Sequence, residues 1–296
     1  MVRQDRATLE DLEANAVVTK ADMPFSVVIP VYNEASGLAE RARSVVSGLP
    51  HGCEVVFVCN GCTDDSQAIL EREVSNEATI LACAKGKAHA IRLGEQHCSI
   101  FPRFYVDSDV WISGDGLARL SACLNDRTLL VSPRIRFDVT DASPAAAALS
   151  RFWLALPHGQ SSAYHHVLGI GKALRSRWGE FPDLIADDTF IESLAKDEEK
   201  AIIDTVFVTT SPPKSWWAWV QVRVRWQQGI NQLVRARHRP PQSQGQTRAI
   251  LKKAIQPRWA LIAVLYISSV VLARILARSG LFPESAWITD ATSRQS

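Results

Sequence analysis

The chain has 296 residues, 47% of them hydrophobic and 22% charged. This composition excludes a disordered or collagen-like polymer and leaves room for one large domain or two small ones. A net charge of only +2 gives no global basic field, so no nucleic-acid partner is expected.

Residues 1–23 read as a polar N-terminal leader of mixed charge with no apolar signal-peptide core, which predicts that the bulk of the chain stays in the cytoplasm. The six cysteines, Cys53, Cys59, Cys62, Cys83, Cys98 and Cys123, all fall in the first half. Cys59 and Cys62 form a lone C-x-x-C with no second pair at zinc spacing. They read as small apolar residues at a strand end, with a redox pair as the distant alternative.

Phe25 to Val31 is a near-continuous apolar, β-branched run, the pattern of a strand buried on both faces of a parallel sheet. Leu38, Ala42, Val45, Val46 and Leu49 then recur at helical spacing up to Pro50. Glu54–Val58 predicts a second strand, broken at Asn60-Gly61. Thr63-Asp64-Asp65-Ser66 offers capping residues to the next helix. Ala78–Ala82 predicts a third strand, and Lys85-Gly86-Lys87 opens a helix. Phe104–Val106 is a fourth strand ending at Asp107-Ser108-Asp109. This rhythm predicts an α/β fold with a doubly wound, mostly parallel sheet.

The second half is less regular. It predicts a strand over 129–135, a helix over 144–156, a strand-like 167–171, and a helix opened by Asp187-Asp188. A strand over 202–209 precedes a basic, Trp-rich helix over about 215–237. Trp216, Trp217 and Trp219 read either as a membrane-interface belt or as core. Residues 238–256 read as a linker. The segment 257–278, with apolar residues 259–277 at its centre, predicts a helix of bilayer-spanning length that either spans or lies in the interface. Arg248, Lys252, Lys253 and Arg258 before it would keep the preceding domain on the cytoplasmic side. Residues 279–296 form a tail.

Seventeen aspartates make about one Asp-x-Asp expected by chance, so Asp107-Ser108-Asp109 takes its weight from its surroundings. In an extended segment residues i and i+2 point the same way, and the carboxyl edge of an open sheet is where ligands bind. Two carboxylates there suit Mg²⁺ or Mn²⁺ and a diphosphate.

In order, the motifs are Ile29-Pro30-Val31-Tyr32-Asn33-Glu34, Asn60-Gly61-Cys62-Thr63-Asp64-Asp65, Gly86-Lys87, Asp107-Ser108-Asp109, Asp187-Asp188, and Arg225-Trp226 with Gly229. They resemble glycosyltransferase family 2, inverting enzymes of the Rossmann-like GT-A fold that use nucleotide sugars, over about residues 25–235. The resemblance implies a domain at 24–237, with a nucleotide-binding half (24–125) and an acceptor half (126–237).

It also implies roles. Pro30, Tyr32, Glu34, Asn60, Asp64, Lys87 and Asp107 would bind the nucleotide, with Asn60 where the family usually has Asp. Asp109 and Asp107 would hold Mn²⁺ or Mg²⁺. Asp188, beside Asp187, would be the general base, its pKa raised by the neighbouring carboxylate. Arg225 and Trp226 would meet the diphosphate or acceptor, although Val222 stands where the family has Gln. His165-His166 lie in the expected acceptor region with no metal-spacing partner and read as loop residues or as satisfied ones.

The implied activity is transfer from a nucleotide diphosphate sugar, UDP-linked, to a carbohydrate or lipid-linked acceptor hydroxyl in polysaccharide or glycolipid synthesis. The expected location is the cytoplasmic face of the cell membrane, reached through the C-terminal helix. The alternatives are a polyprenyl-phosphate sugar synthase and a non-catalytic nucleotide-sugar-binding protein.

Overall fold

Strand β1 (Ser26–Val31) is buried at every position, as its continuous apolar sequence requires. Val27, Ile29 and Val31 face one layer, together with Val55, Phe57 and Cys59 of β2 (Glu54–Asn60). Helices α1 (Leu38–Val46) and α2 (Ser66–Val74) cover this side through Leu38, Ala42, Val45, Leu70 and Val74. Val28, Val56 and Val58 face the other side, where α3 (Lys87–Gln96) packs Ala88, Ala90 and Ile91 against them. The alternation follows from the two-residue period of a strand.

A computed structural model of the chain describes residues 22–156, 159, 165–238, 246–279 and 281–282. The expected leader and most of the expected tail lie outside the described residues. Part of the stretch read as linker is helical, as α9 (Gln246–Ala254).

The remaining elements in chain order are β3 (Thr79–Cys83), β4 (Arg103–Val106), β5 (Val110–Trp111), α4 (Gly114–Ala122), β6 (Leu130–Phe137) and α5 (Pro144–Leu154). These are followed by β7 (Val167–Ile170), the single turn α6 (Lys172–Arg175), α7 (Asp187–Leu194), β8 (Lys200–Thr210), α8 (Trp216–Arg235) and α10 (Ala260–Ser279). One sheet holds all eight strands in the order β3-β2-β1-β4-β7-β6-β8-β5.

The first four strands are parallel, as predicted. Beyond them the sheet is mixed. β7 runs antiparallel to both β4 and β6, β5 runs antiparallel to β8, and β6 pairs parallel with β8. The doubly wound rhythm therefore holds for β1 to β4, and the sequence pattern did not show the reversal at β7. The two-residue β5 and helix α4 were also not predicted.

Gly169 lets β7 pack closely on β4. It pairs with Phe104 on β4, and a Cβ at that position would overlap the Phe104 ring and lie 2.8 Å from Val131 Cγ2. The β7 backbone thus sits against the Phe104 side chain, which packs edge-on to Phe25 at 5.2 Å between ring centres.

Trp219 is buried while Trp217 is exposed, and the Trp216 indole donates to the Leu265 carbonyl of α10 at 3.2 Å. The expected interface belt is thus divided between core, surface and a helix–helix contact. Helix α10 is long and apolar enough to cross a membrane, yet it packs one side on the domain through Ala263, Tyr266, Ser269 and Ala273. All six cysteines are free.

Gly169→Ala should destabilise the fold by about 1–3 kcal/mol through overpacking against Phe104. The check is the urea midpoint; an unchanged midpoint would mean that β7 does not approach β4 this closely.

Candidate active site

Because β1, β2 and β4 are parallel, the loops that follow them leave the sheet at one edge. Polar side chains stitch these loops together. Asn33, at φ 51°, accepts from Thr63 N at 2.8 Å and donates to Thr63 Oγ1 at 3.1 Å. Asp64 accepts from Ala35 N and from both the Ser66 amide and hydroxyl. Burial pushes its pKa up, but these hydrogen bonds outweigh that and leave it lowered. Asn60 is buried; its amide donates to Val31 O at 2.7 Å and accepts from Gly86 N at 3.3 Å. Asn60 and Asp64 therefore shape the loops with the groups expected to face a nucleotide. Glu34 is buried with Arg41 at 3.4 Å, and Arg41 Nε donates to Ser108 O at 2.7 Å, fixing the Asp-Ser-Asp loop. The Tyr32 hydroxyl accepts from Lys85 at 2.9 Å.

The centre of the site is Lys87, the first residue of α3. Its Nζ lies 2.7 Å from Asp107 Oδ1 and 2.9 Å from Asp187 Oδ2. Asp107 caps β4 and Asp187 opens α7, so one ammonium joins three elements. Pro30, Ile91, Tyr105 and Leu168 complete the walls of a cleft that also exposes His166 and Asp188.

The antiparallel β7 supplies what the sequence did not predict. Val106 pairs with Val167, so the residue after one meets the residue before the other. His166 Nδ1 lies 3.0 Å from the second oxygen of Asp107, and His165 Nδ1 lies 2.7 Å from Asp188 Oδ2. The Asp107 amide donates to His166 O at 2.8 Å. His166 takes φ 64°, a strained conformation for a residue other than glycine. The two histidines lie in the loop before β7 and are hydrogen-bonded there, as read, and that loop brings them into the candidate site. Their signal was a His-His pair directly before an apolar strand, legible only if that strand is antiparallel to the one ending in Asp107.

The electrostatics follow from these contacts. Burial pushes the Asp107 pKa up, but Lys87 and His166 outweigh it and hold the carboxyl far below its usual range. Lys87 is disfavoured by burial, yet its two carboxylates raise its pKa. Burial raises Asp187, and Asp188 and Asp107 add to this against Lys87. Burial also acts against the Asp188 charge, but His165 wins and lowers Asp188 to about 2. His165 is raised in turn, since Asp188 outweighs its desolvation. The order expected for the carboxylate pair is therefore reversed: Asp187 is the raised member, and Asp188 is held ionised by a histidine that the sequence did not connect to it.

Asp107, Asp109 and His166 place one ligand atom each within 4.8 Å of one another. Two carboxylates and an imidazole fit Mn²⁺ and tolerate Mg²⁺. Asp109 is exposed, and the Asp107 oxygen facing His166 is not the one that Lys87 holds.

Arg225 and Trp226 are not among the cleft-lining residues; Trp226 is partly exposed and packs edge-on to Trp219 at 6.4 Å. Their helix acts on the site from behind. Gly229 lies against the residue before Asp187, where an added Cβ would be 2.7 Å from the Ala186 Cβ. Gln232 Oε1 accepts from Ile185 N at 3.0 Å.

Residues 26–164 match the family model for glycosyl transferase family 2. Over that segment, just under half of the chain, the sequence is similar to family 2 glycosyltransferases. The fold extends beyond that segment. A mannosyltransferase from Pyrobaculum calidifontis, solved with GDP-Man and Mn²⁺, aligns over 93% of this chain and 91% of its own, with a TM-score of 0.55 and 20% identity. Glucosyl-3-phosphoglycerate synthase from Mycobacterium tuberculosis, solved with Mg²⁺ and UDP, aligns over 82% of this chain and 87% of its own, at TM-score 0.52 and 19% identity. These are likenesses of fold, and they establish the GT-A architecture. An undecaprenyl-phosphate 4-deoxy-4-formamido-L-arabinose transferase of Pseudomonas savastanoi is 33% identical over 105 residues, covering 33% of this chain and 31% of the relative. The chain thus spans about a third of the length of the curated relatives it matches.

The His165–Asp188 pair sets a pH window. Asp188, with its pKa depressed, contributes stability above about pH 4 that is lost as pH falls through about 2. His165, with its pKa raised, contributes stability below about pH 6.5 that is lost as pH rises through its folded value. The difference in urea midpoint between the native chain and His165→Gln should therefore peak between about pH 4 and 6.5. A difference that does not vary with pH would show that the two groups do not form an ion pair.

Proposed function

We propose that this chain is a metal-dependent inverting glycosyltransferase that moves a sugar from a nucleoside diphosphate sugar to a lipid-linked acceptor at a membrane surface. The observation that carries the proposal is the cluster of Lys87, Asp107, Asp187, Asp188 and the two histidines at the carboxyl edge of a GT-A sheet. Such an edge is where α/β folds hold nucleotides.

The loops 30–34 and 60–65 would form the base and ribose pocket, with Tyr32 and Glu34 beside a backbone fixed by Asn60 and Asp64. The donor is taken as UDP-linked. Solved neighbours hold UDP or GDP-Man, so both bases belong in a screen. Asp107, Asp109 and His166 would hold Mn²⁺ or Mg²⁺, which when bound supplies Lewis-acid stabilisation of the departing diphosphate. Lys87 adds a cation at the first turn of α3, where backbone N–H groups also favour anions. It also pairs with both Asp107 and Asp187, opposing the rise that burial imposes on each carboxyl. Arg225 and Trp226 would lie beyond the cleft, on the acceptor's approach.

Two observations favour a phosphate oxygen as the acceptor atom. The curated relatives are named as undecaprenyl-phosphate transferases. Asp188, held at about 2 by His165, is a weak base, and an ionised phosphate needs no strong one. A hydroxyl acceptor remains a second reading, favoured by the raised pKa of Asp187, which suits proton abstraction better. Membrane attachment through the C-terminal helix, on the cytoplasmic side, agrees with the helix's length and the cations before it.

The test begins with a thermal-shift screen of UDP- and GDP-sugars with and without Mn²⁺, since a ligand that binds the native state stabilises it. The stabilising donor is then assayed with a polyprenyl phosphate and with saccharide hydroxyls. Asp188→Asn should leave transfer to the polyprenyl phosphate within about threefold of the native rate. Loss of about 10²-fold or more in that variant or in Asp187→Asn would place a general base in the acid pair and favour the hydroxyl acceptor. No metal-dependent stabilisation by any nucleotide sugar would overturn the proposal.

A further inference from the structure

We infer that helix α10 lies along the surface of an anionic bilayer, its outward side in the lipid interface, rather than crossing the bilayer. The inference deepens the membrane-associated reading above and rests on it.

The inner side of α10 is committed to the domain. Ala263, Tyr266, Ser269 and Ala273 recur at spacings of three and four and are all buried. Tyr266 packs edge-on to Phe152 of α5 at 5.2 Å, and the Arg223 guanidinium of α8 lies 4.2 Å from its ring centre. Farther along, Ala273 clusters with Val220 and Val224, and Gln228 donates to Phe282 O at 2.6 Å. The contacts run the length of the helix. A span would have to leave this face, or carry α8 with Arg223 and Arg225 into hydrocarbon, which is costly.

The outer side is apolar and exposed. Leu261, Val264, Ile267, Val271 and Ile275 are 39–72% accessible and follow one another at three, three, four and four residues. The fourteen residue-to-residue steps from Leu261 to Ile275 make this stripe about 21 Å long. A continuous exposed apolar strip of that size marks an interaction surface. On the adjoining α8, Trp226, Ile230 and Val234 form a second exposed row at i, i+4 and i+8.

Charge identifies the partner. Residues 205–283 contain 12 Lys and Arg and no Asp or Glu, which leaves 21 Lys and Arg against all 31 Asp and Glu elsewhere. The near-neutral total thus hides a cationic end and an anionic remainder. Lys252, Lys253 and Arg258 precede the α10 stripe, and the exposed Arg274 and Arg278 flank it. Apolar side chains bordered by cations with no acid among them match an anionic phospholipid surface, which takes the stripe into its acyl boundary and the cations at its headgroups.

The experiment sediments the full chain with phosphatidylcholine vesicles, with and without phosphatidylglycerol, at low and high salt, alongside the surface variant Val264→Asp/Val271→Asp. A nucleotide–Mn²⁺ thermal shift on the same samples reports separately on folding and on the sugar-transfer reading. The expected result is binding at least about tenfold stronger to the anionic vesicles. That binding should be released by salt or alkaline carbonate and lost in the double variant, whose nucleotide response stays native. Carbonate-resistant binding equal on both vesicles would overturn the inference in favour of a span, while keeping membrane association. Absence of vesicle binding would refute both. Self-association abolished by the double variant, without vesicle binding, would assign the stripe to a second copy of the chain.

Discussion

One ammonium group, on Lys87, lies within 3 Å of carboxylates from two halves of the chain. Asp107 follows strand β4 of the parallel part of the sheet, and Asp187 begins helix α7, 80 residues later. Without a cation between them, two largely buried carboxylates would repel, and at least one would protonate. With Lys87 in place, both stay close, α3 is pinned by its first residue, and the cleft has a fixed floor. The cost of burying three charges is offset by direct hydrogen bonds between opposite charges. The arrangement therefore places charge for chemistry more clearly than it adds stability.

The second constraint is the reversal of β7. If β7 continued the parallel pattern, its carboxyl end would sit beside Asp107 and its leading histidines would be at the far edge of the sheet. Antiparallel pairing with β4 brings its amino end to the site. Gly169 permits that approach by leaving room for Phe104. A packing event in the core thus decides which residues line the cleft. His166 completes a possible ion site with Asp107 and Asp109, and His165 sets the charge state of Asp188. Gly229 and Gln232 of α8 meet Ala186 and Ile185, the residues that lead into Asp187-Asp188.

Much of the parallel part of the sheet was legible in the residues. β1 and β2 are continuous apolar runs, and such runs mean burial on two faces. The strand ending in Asp107-Ser108-Asp109 and the helix opening at Asp187-Asp188 stand where the pattern put them. What could not be read was strand direction, since Val167–Ile170 has the same composition whichever way it runs. The error carried over to His165 and His166, whose roles exist only in the antiparallel register. Side-chain use was equally hidden. Asn60, noted as a departure from the usual Asp, spends its amide on two backbone groups and so stabilises the loops around it. The Asp188 pKa, expected to rise beside Asp187, falls because a partner 23 residues away in sequence is closer in space.

The central proposal is that Asp107, paired with Lys87, would hold a divalent metal together with Asp109 and His166. Anomalous diffraction at the manganese edge from crystals grown with Mn²⁺ and UDP or GDP tests this most directly. The account predicts one strong peak in direct contact with at least two of these three side chains and with the diphosphate, the Lys87–Asp107 pair remaining intact. A peak held by other residues, or nucleotide bound in the cleft with no metal beside Asp109, would contradict it.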